Sequence, residues 1–165
     1  MPVSEINTYV KFDGEGDADG EASGSDLAGF HEVYECDLGA TFSATGWWKE
    51  NGQVTGTVVS PMTVTIAQNK GVPKLYEMCF KRVRKEGKEV ILQMFRSKKE
   101  GGRQKYFEVK YKDYLIVGCH LTNRPGQESG RTPENLAIVS IVAKEITVTH
   151  VPSSKTITVD MATIA

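Results

Sequence analysis

The chain has 165 residues, of which 25% are charged, and a formal net charge of -1; that length suffices for one core hiding roughly 70% of the surface the unfolded chain would expose. A balance so close to neutral gives no global electrostatic reason to bind nucleic acid or an anionic membrane, and no segment approaches the roughly 20 consecutive apolar residues of a membrane helix. Three cysteines, Cys36, Cys79 and Cys119, odd in number and widely spaced, argue against a disulfide framework and leave at least one free thiol, as in a reducing compartment.

The opening Met-Pro-Val-Ser-Glu lacks a basic region and an apolar region, so a cytoplasmic chain with no general secretory signal is expected. Ile6 to Phe12 reads as a short strand, followed by an acidic, glycine-rich loop from Asp13 to Asp26 with no apolar periodicity. Phe30 to Leu38 alternates. Phe30, Tyr34, Cys36 and Leu38 fall on one side and are expected in the core, while His31, Val33, Glu35 and Asp37 fall on the other. A long polar connection then carries Trp47, Trp48 and Asn51-Gly52, and a strand from about Thr55 to Ala67 contains Pro61, which suggests an edge or a bulge.

A helix is predicted to begin near Pro73 and to run until Gly87, with Leu75, Tyr76, Cys79, Phe80 and Val83 on its buried face. Lys74, Glu77, Lys81, Arg84 and Lys85 would be its solvated face. Glu89 to Arg96 and Tyr106 to Leu121 read as strands of a hairpin across Gly101-Gly102. The second strand would place Phe107, Val109, Tyr111, Leu115, Val117, Cys119 and Leu121 on one face. After a turn-rich loop, Thr122 to Glu134, comes a strand from Leu136 to Val151 that is apolar on both faces as far as Ala143, which places it deep in a barrel or beneath another subunit. Thr156 to Met161 is the final strand. About seven or eight strands and one helix predict a mainly β, single-domain chain over residues 1–165: a β-barrel of two packed antiparallel sheets with one flanking α-helix.

Candidate chemistry is sparse. Glu15, Asp17, Asp19, Gly20 and Asp26 fall at calcium-loop positions, but aspartate is usual at the first position and a bidentate glutamate at the last, and the motif follows a helix, so a solvated loop is the plainer expectation. His31, His120, His150 and the cysteines lack the short ligand spacing of zinc sites, and no metal or cofactor is expected. Ser23-Gly24-Ser25 has no nucleophile elbow around it, the glycines at 14, 16 and 20 do not make a dinucleotide fingerprint, and no catalytic constellation stands out. The cluster Lys81, Arg82, Arg84, Lys85 and Lys88 is expected to be a solvated helix end. Trp47 and Trp48 point oppositely in extended chain, so either the loop folds back on its own barrel or, the favoured expectation, at least one ring meets a partner subunit.

Several segments, in order, are similar to one family. Thr8-Tyr9-Val10-Lys11-Phe12-Asp13-Gly14 resembles its opening strand and turn, and Phe30-His31-Glu32-Val33 through Leu38-Gly39 its second strand. Val72-Pro73-Lys74-Leu75-Tyr76-Glu77-Met78-Cys79 resembles its helix start, Tyr114-Leu115-Ile116-Val117 its central strand, and Arg131-Thr132-Pro133-Glu134-Asn135-Leu136 the approach to its penultimate strand. The family is that of the haemolysin-coregulated proteins (Hcp) of type VI secretion. Phe80 to Lys88 looks longer and more basic than the family's short helix.

The resemblance implies a homo-hexameric ring, rings stacked into an inner tube, sheath and spike components as partners, and effector proteins carried in the lumen. It implies a protein that is cytoplasmic before firing and is then exported by the type VI pathway. Val33, Glu35 and Asp37 would face the lumen, where two carboxylates per subunit would favour basic cargo. Trp47 and Trp48 would lie at a ring or stacking interface. Other readings are a phage tube subunit of similar architecture and a monomeric β-barrel binding a small ligand in an apolar cavity.

Overall fold

The computed structural model describes residues 7–41, 44–45, 53–54, 58–124 and 134–161. Its strands are β1 (Thr8–Phe12), β2 (His31–Thr41), β3 (Ala44–Thr45), β4 (Gln53–Val54), β5 (Val58–Ala67), β6 (Arg84–Ser97), β7 (Arg103–Arg124), β8 (Glu134–His150) and β9 (Lys155–Asp160), with one helix, α1 (Val72–Phe80). The seven-stranded sheet has the order β5-β2-β1-β6-β7-β8-β9, and β5 also pairs with β8. The sheet therefore closes on itself and leaves β9 outside the closure; β3 and β4 form a separate pair. Every pairing is antiparallel. The mainly β class with one helix is the class expected, and the two layers are halves of one hydrogen-bonded sheet.

The core is filled by side chains from nearly every strand. Phe12, Met62, Val64, Ile66, Leu92, Tyr114 and Ile141 are fully buried, and each large apolar side chain removed from water contributes on the order of 1.5–3 kcal/mol. The tyrosine hydroxyl in this interior has a partner: Tyr114 Oη donates to the Asp13 carbonyl at 3.1 Å.

Simple alternation fails at β2. Val33 stands opposite Ile66, and Glu35 stands opposite Thr65, so Tyr34 is an extra residue in a β-bulge. Before the bulge His31 and Val33 point inward; after it Cys36 and Leu38 do, both packed against the core. Val33 is only 5% exposed and Tyr34 is 43% exposed. This corrects the assignment of Val33 to the outer face with Glu35 and Asp37, and that of Tyr34 to the core.

β7 changes parity twice. Val109 and Tyr111 are buried, then Tyr114 and Ile116, then Cys119. The first change falls at Asp113, which has φ 54°. The second falls at Val117, because Ile116 pairs with Ile141 while Gly118 pairs with Ser140. The single apolar face expected from Phe107 to Leu121 is thus divided, and Val117 and Leu121 are exposed. In β5, Pro61 lies at a register irregularity, the bulge option; β5 is paired on both sides further along and is not an edge.

The helix is shorter than its apolar periodicity predicts. Pro73 occupies the first turn, Val72, Leu75 and Met78 face the core, and Tyr76 and Phe80 remain exposed. Arg82 then adopts a left-handed conformation, φ 54°, which reverses the chain so that β6 begins at Arg84. The basic run expected on a helix end therefore lies on a turn and a strand. Its charges are partly paired: Lys81 with Glu77 at 2.8 Å, Arg84 with Glu86 at 3.8 Å, and Lys85 with Glu15.

Candidate functional site

Strands β2, β5, β8 and the C-terminal half of β7 present a common outer face. Two rows of paired residues cross it. Glu35 lies opposite Thr65, Thr65 opposite Ile138, and Ile138 opposite His120. Asp37 lies opposite Thr63, Thr63 opposite Ser140, and Ser140 opposite Gly118. Alternation sends the other set of side chains, Val64, Ile66, Ala137, Val139 and Ile141, into the core. The outer set is mostly small and polar, with both carboxylates toward its β2 side.

The face is close-fitting where β7 meets β8. A Cβ on Gly118 would stand 3.3 Å from the Ser140 side chain, so small residues keep this part of the surface level. Cys36, between the two carboxylates, turns inward; burial first, and then the charges of Asp37 and Glu35, push its thiol above the ordinary cysteine range. It is therefore a protonated packing residue and not an activated nucleophile. Cys119 is buried and His120 exposed on adjacent positions of β7, so one ion cannot readily reach both. Burial, with Cys79 nearby, pushes the Cys119 thiol up to about 11.

The acidic loop is pinned to the domain from within. Ala18 and Leu27 are buried. His31, fully buried, bonds the Ala18 carbonyl through Nε2 at 2.7 Å; a carbonyl only accepts, so Nε2 carries the proton and Nδ1 accepts from Asn69 Nδ2 at 2.9 Å. Asn69 Oδ1 in turn accepts the Gly71 N–H at 2.9 Å. One imidazole thus ties the loop to the start of α1. Gly20 and Gly71 let these segments touch: a Cβ on Gly71 would lie 2.5 Å from the Asp19 carbonyl oxygen, and one on Gly20 would overlap the Phe30 carbonyl.

Glu15, the first position of the calcium-like pattern, is engaged by Lys85 and, at 3.9 Å, by Lys74. The Lys85 hydrogen bond holds its carboxyl below the usual range. Among the described residues no three His, Cys, Asp or Glu side chains gather as a metal site.

Sequence reasoning placed Glu35 and Asp37 on one exposed face, and both are exposed there. It missed the bulge that brings Tyr34 out beside them and the His31–Asn69 link, for which the sole sequence signal is an Asn two residues before a glycine at a helix start. Trp47 and Trp48 lie outside the described residues.

The family model described as "Type VI secretion system effector, Hcp" matches residues 9–150. Among solved structures, one described as an Hcp protein is 24% identical, with 93% of this chain and 99% of that chain covered and a TM-score of 0.77. A doubly substituted Hcp1 from E. coli EAEC 042 is 19% identical, covering 94% and 99%, with a TM-score of 0.77. Hcp1 from Salmonella typhimurium is 16% identical, covering 96% of each chain, with a TM-score of 0.70. No curated protein matches the sequence. At these identities the structural likenesses establish the fold, and the family assignment rests on the model match.

Proposed function

Since this chain belongs to the Hcp family of type VI secretion system effectors, we propose that it is a structural subunit of the secretion machine's inner tube. It acts by assembly and passage and not by catalysis. Hexameric rings stack into a tube that sheath and spike components surround and drive, effector proteins travel in the lumen, and the chain is cytoplasmic until it is exported.

The observation that carries this role is the outer face of β2, β5, β8 and β7. Its two cross-strand rows run through threonine, serine, glycine, Ile138 and an exposed histidine, with Glu35 and Asp37 at one side and Thr65 only 4% exposed. A mostly small and polar surface lets cargo pass without capturing it through a large apolar patch. Glu35 and Asp37 lie on this lining, and repetition around a ring gives a negative belt that retains basic cargo and weakens with salt. Val33 has no part in it. A ligand-binding barrel requires an apolar cavity; among the described residues Phe12, Tyr111, Tyr114, Met62 and Ile141 belong to one buried cluster.

Charge reversal tests the lining. The double variant Glu35→Lys/Asp37→Lys should still form rings, because both residues are exposed, but should lose co-purification of a basic cargo protein at low salt. Unchanged retention by intact variant rings would refute the role of this face.

A further inference from the structure

The three thiols are all free and have no part in the outer face, yet two of them share one corner of the core. Helix α1 packs on β7. Val72, Leu75 and Cys79 recur at three- and four-residue steps on the helix face turned to the core. Cys79 packs against the buried cluster that contains Cys119.

The register of β6 brings these two cysteines toward one level. Arg84, the first residue of β6, pairs with Leu115. From there β7 runs on toward Cys119, while the chain before Arg84 turns back through the left-handed Arg82 into the end of α1. A negative charge on Cys79 is close enough to oppose one on Cys119, the nearness that this backbone path implies.

Cys36 is set apart. It lies opposite Val64, Val64 opposite Val139, and Val139 opposite Cys119. Two whole strands therefore stand between Cys36 and Cys119, well past the roughly 7 Å between Cα atoms that a disulfide spans. Access also differs within the closer pair: Cys79 is half-buried and Cys119 only 8% exposed, so a small reagent meets Cys79 first.

We propose that Cys79 and Cys119 are a redox pair, a dithiol under reducing conditions that a small-molecule disulfide converts into one intrachain bond between α1 and β7. The Cys79 thiolate attacks a sulfur of the small disulfide, forming a mixed disulfide and releasing one small thiolate. The Cys119 thiolate then attacks Cys79 Sγ, breaking the mixed bond and releasing the second. Two protein thiols are oxidised, one small disulfide is reduced to two thiols, and the two protons pass to those thiols. Burial, with Cys79 nearby, pushes the Cys119 thiol up to about 11, so the second step is slow near neutrality and quickens as pH rises. The bond closes the chain around β6 and most of β7, a long loop whose cross-linking limits the unfolded state. The inference goes beyond the tube role and does not depend on it; combined with that role, the pair stays reduced before export and closes outside a reducing compartment.

Oxidised glutathione added to the reduced, folded full chain tests it, with intact-mass and peptide mapping as the readout. The wild-type chain should lose two hydrogens and yield a linked Cys79–Cys119 peptide, with Cys36 left as a thiol, and its melting temperature should rise by about 5–10 °C. Closure of the mixed disulfide should quicken about tenfold per pH unit from about pH 7 to about pH 9, following the thiolate fraction of Cys119. Cys119→Ala should hold the glutathione on Cys79 that the wild-type chain resolves, and Cys36→Ala should close as the wild type does. A wild-type chain that keeps glutathione on Cys79, links Cys36 in place of either partner, or leaves Cys79 and Cys119 as thiols would overturn the pair, whether or not the chain forms rings.

Discussion

His31 is neutral inside the folded chain because burial disfavours its charged form more than the Ala18 carbonyl and the nearby Asp19 and Glu21 favour it. Protonation would also turn Nδ1 into a donor facing the Asn69 amide donor. Rotating that amide to offer its oxygen would take the acceptor from the Gly71 N–H, so a proton on His31 disturbs both the loop and the helix start. With the folded-state pKa lowered, the unfolded chain binds the proton first. Stability is therefore fully present above about pH 6.5, the ordinary histidine value, and falls as pH drops toward the lower folded-state value. Thermal melts between pH 7.5 and 5 should show this decline, and His31→Gln should flatten it while lowering stability at neutral pH by about 2 kcal/mol through lost packing on Phe12 and unsatisfied partners. Equal pH slopes in the two proteins would rule out His31 as the titrating group.

The turn between α1 and β6 shows how backbone conformation, and not hydrophobic pattern, ends an element. Val83 follows Cys79 and Phe80 at helical spacing, yet the left-handed Arg82 stops the helix. A left-handed residue with a Cβ costs on the order of 1 kcal/mol, so Arg82→Gly should stabilise the chain by up to about 1 kcal/mol and Arg82→Val should destabilise it by about 1–2 kcal/mol in urea unfolding. The positions of the main strands along the chain, the Gly101-Gly102 hairpin and the helix start at Pro73 were legible because period-two alternation, paired glycines and a first-turn proline act locally. The inward or outward sense of Val33, Tyr34, Val117 and Leu121 was not, because a bulge is defined by the partner strand: nothing near Tyr34 announces that Val33 and Glu35 will face consecutive residues of β5. For the same reason the exposure of Glu35 and Asp37 was read correctly and that of Val33 was not, although all three share one alternation in the sequence.

At the scale of the whole molecule, a packed core and a mostly small, polar outer face suit a part whose job is completed by copies of itself. In the proposed ring, the face of Glu35 and Asp37 would turn toward a shared centre. Assembly is thus the central claim, and it can be seen without knowing any cargo. Negative-stain electron microscopy of the purified chain at low micromolar concentration, in low salt, tests it most directly. Six-fold rings with an open centre are the predicted result, and a field of compact monomers only would contradict it.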